Sequence, residues 1–271
     1  MVYKRNRMNY QKIYPTEPLR KYVRYFWILE DDSLDFSQKT FKIMSDGLPG
    51  LIFQESKKAF HDKDNQELPQ LFLYGQTTRY TEHRAIKSFR NIGVYFEPTA
   101  LKSIFGVDAN ELTNQHISID ELVNTNITDQ LSDTTSSNQR IELLSSFLVH
   151  LAEQRSTENE KVNFATAQLQ KGVSLPKIQS ELNLSERSLE RYFKQHIGIS
   201  PNLYARINRF QLALENIRQT QFDKLTDIAY QCNYYDQSHF IREFKEFSGT
   251  SPKRFLRQAN EQVANFPEWK I

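Results

Sequence analysis

Among 271 residues there is a single cysteine, Cys232. That excludes an intramolecular disulfide and any multi-cysteine metal site, and it points to a reducing, cytoplasmic setting. No apolar run is long enough to span a bilayer, so no membrane partner is expected. Basic residues follow Met1 (Lys4, Arg5, Arg7), but the next stretch is polar and aromatic rather than the apolar segment of a secretory signal. His61, His83, His116 and His150 are scattered, without paired-His and carboxylate spacing, and no nucleophile or phosphate-loop motif is present. No metal, no cofactor and no enzymatic activity are therefore expected.

A strong excess of one charge is also missing, since the formal net charge is only +2. The distribution is uneven. Residues 1–160 hold 19 Lys and Arg against 22 Asp and Glu, whereas residues 161–271 hold 16 against 11. The C-terminal part is thus the basic part, which is compatible with phosphate contacts. The length exceeds one typical domain, and 25% charged with 38% hydrophobic residues is the composition of a folded chain.

The N-terminal part carries short β-rich stretches at 51–53, 71–74 and 92–96, separated by turn formers at Asp46-Gly47, Pro49-Gly50, Gly75 and Pro98. They predict a sheet or barrel within residues 1–123, with a helix near Leu19 to Trp27 and another near Thr99 to Phe105. Residues 124–138 read as a solvated connector. Gln139 to Gln154 reads as an amphipathic helix with Ile141, Leu144, Leu148 and Leu151 on its stripe, packed on its own domain or pairing two chains; it completes a connecting region 124–160. Tyr22, Tyr25, Phe26, Trp27, Tyr95 and Phe96 are candidates for lining a pocket, although aromatic residues at such spacings more often form core.

Within 161–260 lies an internal repeat. Ile178 to Ser188 (IQSELNLSERS) matches Ile228 to Ser238 (IAYQCNYYDQS) at an offset of 50, and Phe193, Lys194, Gly198, Ser200 and Pro201 recur as Phe244, Lys245, Gly249, Ser251 and Pro252 at 51. The one-residue slip fits in the turn between paired helices. Each copy has the parts of a helix-turn-helix: a short amphipathic helix, a turn at Asn183-Leu184 or Asn233-Tyr234, and a second helix with an apolar face. Ser174, Ser185 and Asp223 suit helix caps, and Cys232 falls on the buried side of its helix, where it acts as a small apolar residue. Gly198 and Gly249 suit left-handed stops, and Ser-Pro restarts a helix after each. A helix from Pro201 to about Arg218, roughly 27 Å at 1.5 Å per residue, joins the units. Residues 261–271 are left as a tail.

Arg reads guanine through two bonds, Gln reads adenine, and Glu accepts from cytosine. The outward residues Arg187, Glu190, Arg191, Gln237, Ser238, His239 and Arg242 are accordingly candidates for base reading, with Arg187, Arg191, Gln237 and Arg242 expected at equivalent places in the two units. Lys177, Lys194, Arg206, Arg209, Lys245 and Lys253 are candidates for phosphate contacts.

Asp227-Ile228-Ala229, Ser238, Phe240, Arg242, Phe244-Lys245, Gly249, Ser251-Pro252, Phe255 and Arg257 resemble the AraC/XylS family over about residues 160–260. The resemblance implies an α+β chain: a β-rich, barrel-like N-terminal sensor domain with flanking helices, then an all-α domain of two helix-turn-helix units on a long linker helix. It implies sequence-specific binding of double-stranded promoter DNA, activation or repression, and contact with RNA polymerase. Looser likeness at Pro18-Leu19, Tyr25-Phe26-Trp27, Asp46-Gly47 and Phe96-Glu97-Pro98 implies an effector-binding or dimerising N-terminal domain, hence a small-molecule effector and a homodimer as further partners. The rivals are a non-specific architectural DNA-binding protein, which would be more basic, and a cupin-like enzyme fused to a DNA-binding tail.

Overall fold

The computed structural model describes residues 8–32, 37–155, 159–219, 224–260, 265 and 268–269. The N-terminal strands are β1 (Met8–Ile13), β2 (Val23–Asp31), β3 (Lys39–Ile43), β4 (Gly50–Gln54), β5 (Phe60–His61), β6 (Leu71–Tyr74), β7 (Thr81–Ala85), β8 (Phe89–Phe96) and β9 (His116–Ser118). The expected stretches at 51–53, 71–74 and 92–96 are β4, β6 and β8. One antiparallel sheet runs β1-β2-β8-β4-β6-β9. A second contains β3, β7 and β5, extended at the β3 edge by β11 (Glu268–Trp269) and β10 (Ala259–Asn260). The tail thus returns to the N-terminal sheet, with Glu268 opposite Phe41.

The helix expected at Leu19 to Trp27 does not form. A 3-10 turn spans Glu17–Leu19, and the residues after it enter β2. The reason lies in side-chain type and place: Val23, Tyr25, Phe26, Trp27, Ile28 and Leu29 are β-branched or aromatic or both-face buried, and β2 sits in the sheet interior between β1 and β8. Phe26 and Ile28 face a helix-side core with Leu101, Ile104 and Phe105, while Tyr25, Trp27 and Leu29 face the second sheet with Phe41, Phe60 and Phe89. The helix expected near Thr99 to Phe105 is a π-turn at Leu101–Phe105.

Helices then take over: α1 (Ile119–Leu122), α2 (Ile127–Asp133), α3 (Ser137–Arg155), α4 (Glu160–Gln170), α5 (Leu175–Leu182), α6 (Glu186–His196), α7 (Pro201–Gln219), α8 (Leu225–Gln231), α9 (Gln237–Ser248) and α10 (Pro252–Gln258). The predicted connector contains α2, whose Ile127 and Leu131 are buried, and the α3 stripe Ile141, Leu144, Leu148 and Leu151 lies in the same core as the sheet. That stripe is spent on its own domain and leaves nothing for a second chain. Arg140, buried, anchors α3 by bonding the Leu131 carbonyl at 2.9 Å and pairing with Glu55 at 2.6 Å.

The helical domain has its own core, from Val162 to Phe255, and one residue of the β domain, Met44, is buried in it. Residues 44–47 form the junction. Ser45 N–H donates to the Phe247 carbonyl at 3.2 Å, Gln211 donates to the Ser45 carbonyl at 2.7 Å, and Gly47 packs beside Tyr204 and Ile207 of α7. Among the described residues no helix is long and apolar enough to cross a membrane.

Candidate nucleic-acid interface and sensor cavity

In the first unit α5 begins after Ser174 with Pro176 in its first turn, where a missing N–H costs nothing. Asn183 takes φ +50, a left-handed turn that Asn tolerates, and Ser185 caps α6 by accepting from Ser188 N–H at 3.2 Å. In the second unit Asn233 takes φ +57, and Asp236 caps α9 by accepting from His239 N–H at 2.7 Å. The two turns therefore share one left-handed asparagine. α8 starts after Lys224; Asp223, the expected cap, lies outside the described residues.

The turns also locate the slip in the repeat. One residue, Leu184, separates Asn183 from its cap, whereas Tyr234 and Tyr235 separate Asn233 from Asp236. Tyr234 is buried like a core plug, and Tyr235 is the added residue, 87% exposed. Counting from the caps, Leu189 matches Phe240, Phe193 matches Phe244, and Arg191 matches Arg242. Arg187 then matches Ser238 and Gln237 matches Glu186, so of the four positions expected to be equivalent only the Arg191 and Arg242 pair coincides.

Arg187, Arg191, Ser238 and Arg242 are exposed, and Glu190 and Gln237 are half-exposed. His239 is turned partly inward, against the Tyr234 ring and 4.0 Å from Glu243. Tyr235, Asp236, Ser238, His239 and Arg242 together surround a hollow at the start of α9. Tyr235 was not foreseen from sequence; the uneven turn length was its signal. Lys177, Lys194, Lys245 and Lys253 are exposed, Lys177 lying 3.9 Å from Glu181.

Arg206 and Arg209, expected at phosphates, are engaged elsewhere. Glu243 of α9 is buried and receives Arg206 at 2.6 Å and Arg209 at 2.9 Å, while Arg206 also reaches Glu246 at 2.7 Å. A carboxylate removed from water needs such charge-assisted bonds, so these arginines fasten the second recognition helix to the linker α7. Each also lies over a ring, Arg206 over Phe247 and Arg209 over Tyr234. Cys232 is buried as expected, accepts from Asn216 at 3.3 Å, and burial raises its pKa.

Each unit touches the β domain. Gly198, at φ +95, closes α6 against the Ala109 carbonyl, and Thr113 Oγ1 donates to the Gly198 carbonyl at 2.7 Å. Gly249, at φ +72, closes α9 against the Tyr80 ring, and Lys42 Nζ donates to its carbonyl at 3.4 Å.

A cavity of about 570 Å³ lies between the two sheets, walled by Trp27, Ile52, Phe72, Tyr74 and Tyr95 on one side and Ile43, Thr81 and His83 on the other. Of the expected pocket aromatics only Trp27 and Tyr95 line it; Tyr22, Phe26 and Phe96 belong to the helix-side core, and Tyr25 to the inter-sheet core. His83 and His116, far apart in sequence, both reach it. Burial pushes the His83 pKa down to about 4, with His116 adding to the shift, and burial lowers His116 too, so both rings are neutral at pH 7. Among the described residues no three His, Cys, Asp or Glu side chains are grouped to hold a metal ion.

Residues 178–258 match the family model described as a helix-turn-helix domain, and residues 11–118 match a domain of unknown function, DUF6597. The HTH-type transcriptional activator RhaS of Enterobacter sp. (strain 638) is 36% identical over 91 residues, covering 33% of this chain and 31% of that protein. The probable transcriptional regulator LumQ of Photobacterium leiognathi is 31% identical over 93 residues, 34% of this chain and 37% of its own length. The chain thus spans about a third of the length of the curated relatives it matches. A crystal structure of ToxT from Vibrio cholerae aligns over 93% of this chain and 97% of its own, at TM-score 0.47 and 11% identity, too loosely to carry any property across. Two helix-turn-helix units with the same left-handed turn, the same closing glycine and the same exposed arginine thus lie in the segment that matches the helix-turn-helix family model and that HTH-type transcription regulators match in sequence.

Proposed function

We propose that the chain binds promoter DNA sequence-specifically, with α6 and α9 entering successive major grooves on one side of a duplex. The observation that carries this reading is the exposed, equivalent pair Arg191 and Arg242 on two capped recognition helices joined by one continuous helix, α7, of 19 residues. Its length, about 28 Å at 1.5 Å per residue, approaches the 34 Å or so of a DNA turn. Arg187, Glu190, Arg191, Gln237, Ser238 and Arg242 read base edges, Tyr235 and His239 flank the second reading face, and Lys177, Lys194, Lys245 and Lys253 meet phosphates.

Residues 8–155 serve as the sensor and 159–258 as the DNA-binding domain. A small molecule in the inter-sheet cavity, or a second copy of the chain held by a face other than the buried α3 stripe, sets how the recognition helices are presented. RNA polymerase is the protein partner this reading implies, and the bacterial cytoplasm the place of action.

Fluorescence anisotropy on DNA from upstream of the protein's own gene and neighbouring genes, against scrambled competitor at two salt concentrations, tests the proposal. A preference of about a thousandfold or more at physiological salt is expected. Equal, steeply salt-dependent binding to all sequences would make the protein architectural instead.

A further inference from the structure

The longer turn of the second unit presents a side chain for which the first unit has no counterpart. Tyr234 and Tyr235 stand between Asn233 and the cap Asp236, and their rings go opposite ways. Tyr234 is 3% exposed and packs on Phe240, with ring centroids 5.2 Å apart and the Arg209 guanidinium 4.7 Å from its own. Tyr235 is 87% exposed and has no hydrogen-bond, ion-pair or ring partner among the described residues. In the first unit Leu184 alone fills the interval, half-buried against the helical core. The Tyr235 ring therefore does nothing for the packing of the domain, and its whole apolar area is left for another surface.

Which surface that is follows from its neighbours. Tyr235 borders one hollow with Asp236, Ser238, His239 and Arg242. Asp236 and His239 are engaged with the fold, Asp236 by accepting from His239 N–H at 2.7 Å and His239 against the Tyr234 ring. Ser238 and Arg242 are exposed, one turn apart on α9. A helix-turn-helix lays the N-terminal residues of its second helix against base edges, and Tyr235 stands just before that end of α9. The ring is thus an uncharged, apolar wall beside two polar readers. Along the major-groove edge of DNA every group is a donor or an acceptor except one, the methyl group of thymine, and aromatic carbon is a partner that selects it.

We propose that Tyr235 is a specificity-determining residue of the second unit, its ring packing on the methyl group of a thymine next to the base pairs that Ser238 and Arg242 read, so that the second unit reads one position more than the first. The proposal rests on the regulator reading given above.

Uracil isolates the contact, because it keeps every donor and acceptor of thymine and lacks only the methyl group. The full chain first selects its preferred duplex from a randomised library, and Arg242→Ala marks the half-site of α9 by the preference it relaxes. Each thymine of that half-site is then replaced by uracil, one at a time, and affinity is read by anisotropy. One replacement, beside the base pairs that depend on Arg242, is expected to weaken the wild type about fourfold, the value of one methyl group withdrawn from water, and to leave Tyr235→Ala unaffected. On the thymine duplex Tyr235→Ala is expected to bind at least fourfold more weakly than the wild type, and Tyr235→Phe, which keeps the ring, to match it. Both variants are expected to melt with the wild type, since the side chain is exposed and unpartnered. A uracil effect that persists in Tyr235→Ala, or none anywhere in the half-site, overturns the thymine contact. Equal weakening by Tyr235→Ala and Tyr235→Phe on every sequence would place the hydroxyl at a phosphate and overturns it too. If the library yields no preferred duplex, the regulator reading falls and this assignment with it; a preferred duplex indifferent to uracil removes the thymine contact alone.

Discussion

In the first helix-turn-helix unit the residue before the buried phenylalanine of the recognition helix is Tyr192; in the second it is Glu243. Tyr192 packs at the edge of the helical core, whereas Glu243 is held by two arginines of the linker. The contacts to the β domain differ in the same sense. At its closing glycine the first unit meets the Ala109 carbonyl and the Thr113 hydroxyl, and the second meets the side chains of Tyr80 and Lys42, two residues after the Phe247 carbonyl that accepts from Ser45 N–H. Apolar packing and backbone contacts hold one arrangement, because displacing them leaves voids or unpaired groups. Ion pairs and a half-exposed ring have alternatives in water. The contact at Gly249 is accordingly expected to yield more readily than the one at Gly198.

The largest effect that sharpens this contrast is expected from Glu243→Ala. It leaves Arg206 and Arg209 without their shared carboxylate beside apolar rings, at a cost of about 3 kcal/mol, below the full value for breaking a buried pair because both guanidiniums are about a third exposed. Tyr192→Ala at the matching position costs less, about 1 kcal/mol. Urea unfolding of both variants checks this, and equal losses would remove the contrast.

The next effect concerns the junction that carries both units. Asp46 is placed among Tyr25, Tyr74, Tyr95 and Arg24, accepts from Leu48 N–H at 3.0 Å, and burial pushes its pKa from 3.8 to about 6, against the lowering pull of its hydrogen bonds and Arg24. A raised carboxyl pKa means that the folded chain holds the proton more tightly than the unfolded one. Stability contributed by this group is present below about pH 4 and lost as pH rises to about 6. Asp46→Asn keeps the acceptor for Leu48 and removes the loss, so it is expected to raise stability at pH 7 by about 2 kcal/mol and to flatten melting temperature between pH 4 and 6. A variant that follows the wild-type pH curve would clear Asp46 of the dependence.

Much of this was legible in the sequence where local chemistry decides the backbone. The Asn183 and Asn233 turns, the Ser185 cap, the closing glycines and the α3 stripe depend on a few neighbours each, and the repeat supplied a second copy as a check. β2 was misread because its residues are buried on both faces, which erases the alternation that distinguishes a strand from a buried helix. The pairing of Arg206 and Arg209 with Glu243 joins residues more than thirty positions apart, and no local pattern marks an arginine as engaged rather than free. The cavity was half seen: Trp27 and Tyr95 stood out as aromatics, but His83 and His116 reach it through sheet pairing, and Tyr80 from the residue just before β7.

Arg191 and Arg242 probe the comparison at its point of likeness. Each to Ala is expected to weaken binding at the cognate site by about 2 kcal/mol and to relax specificity over one half-site only. Anisotropy on half-site variants checks this. Uniform loss on every sequence would make either residue a phosphate contact.

The smallest effect is expected at the closing glycines, and it separates the two contacts most directly. Both need a left-handed backbone, which costs alanine about 1 kcal/mol wherever it occurs. Gly172, at φ +78 with nothing within 4 Å of a Cβ, gives that strain alone and serves as the control. At Gly198 an added Cβ would come 2.8 Å from the Ala109 carbonyl oxygen, and backbone there cannot yield without opening the domain contact, so Gly198→Ala costs about 2 kcal/mol. At Gly249 the obstacle is the Tyr80 ring, which swings into solvent, so Gly249→Ala costs little more than the control. Differential unfolding of the three variants gives the order, with Gly198→Ala lowest. If Gly249→Ala equals Gly198→Ala, the Tyr80 contact is as rigid as backbone, and the second unit is fixed to the β domain as firmly as the first.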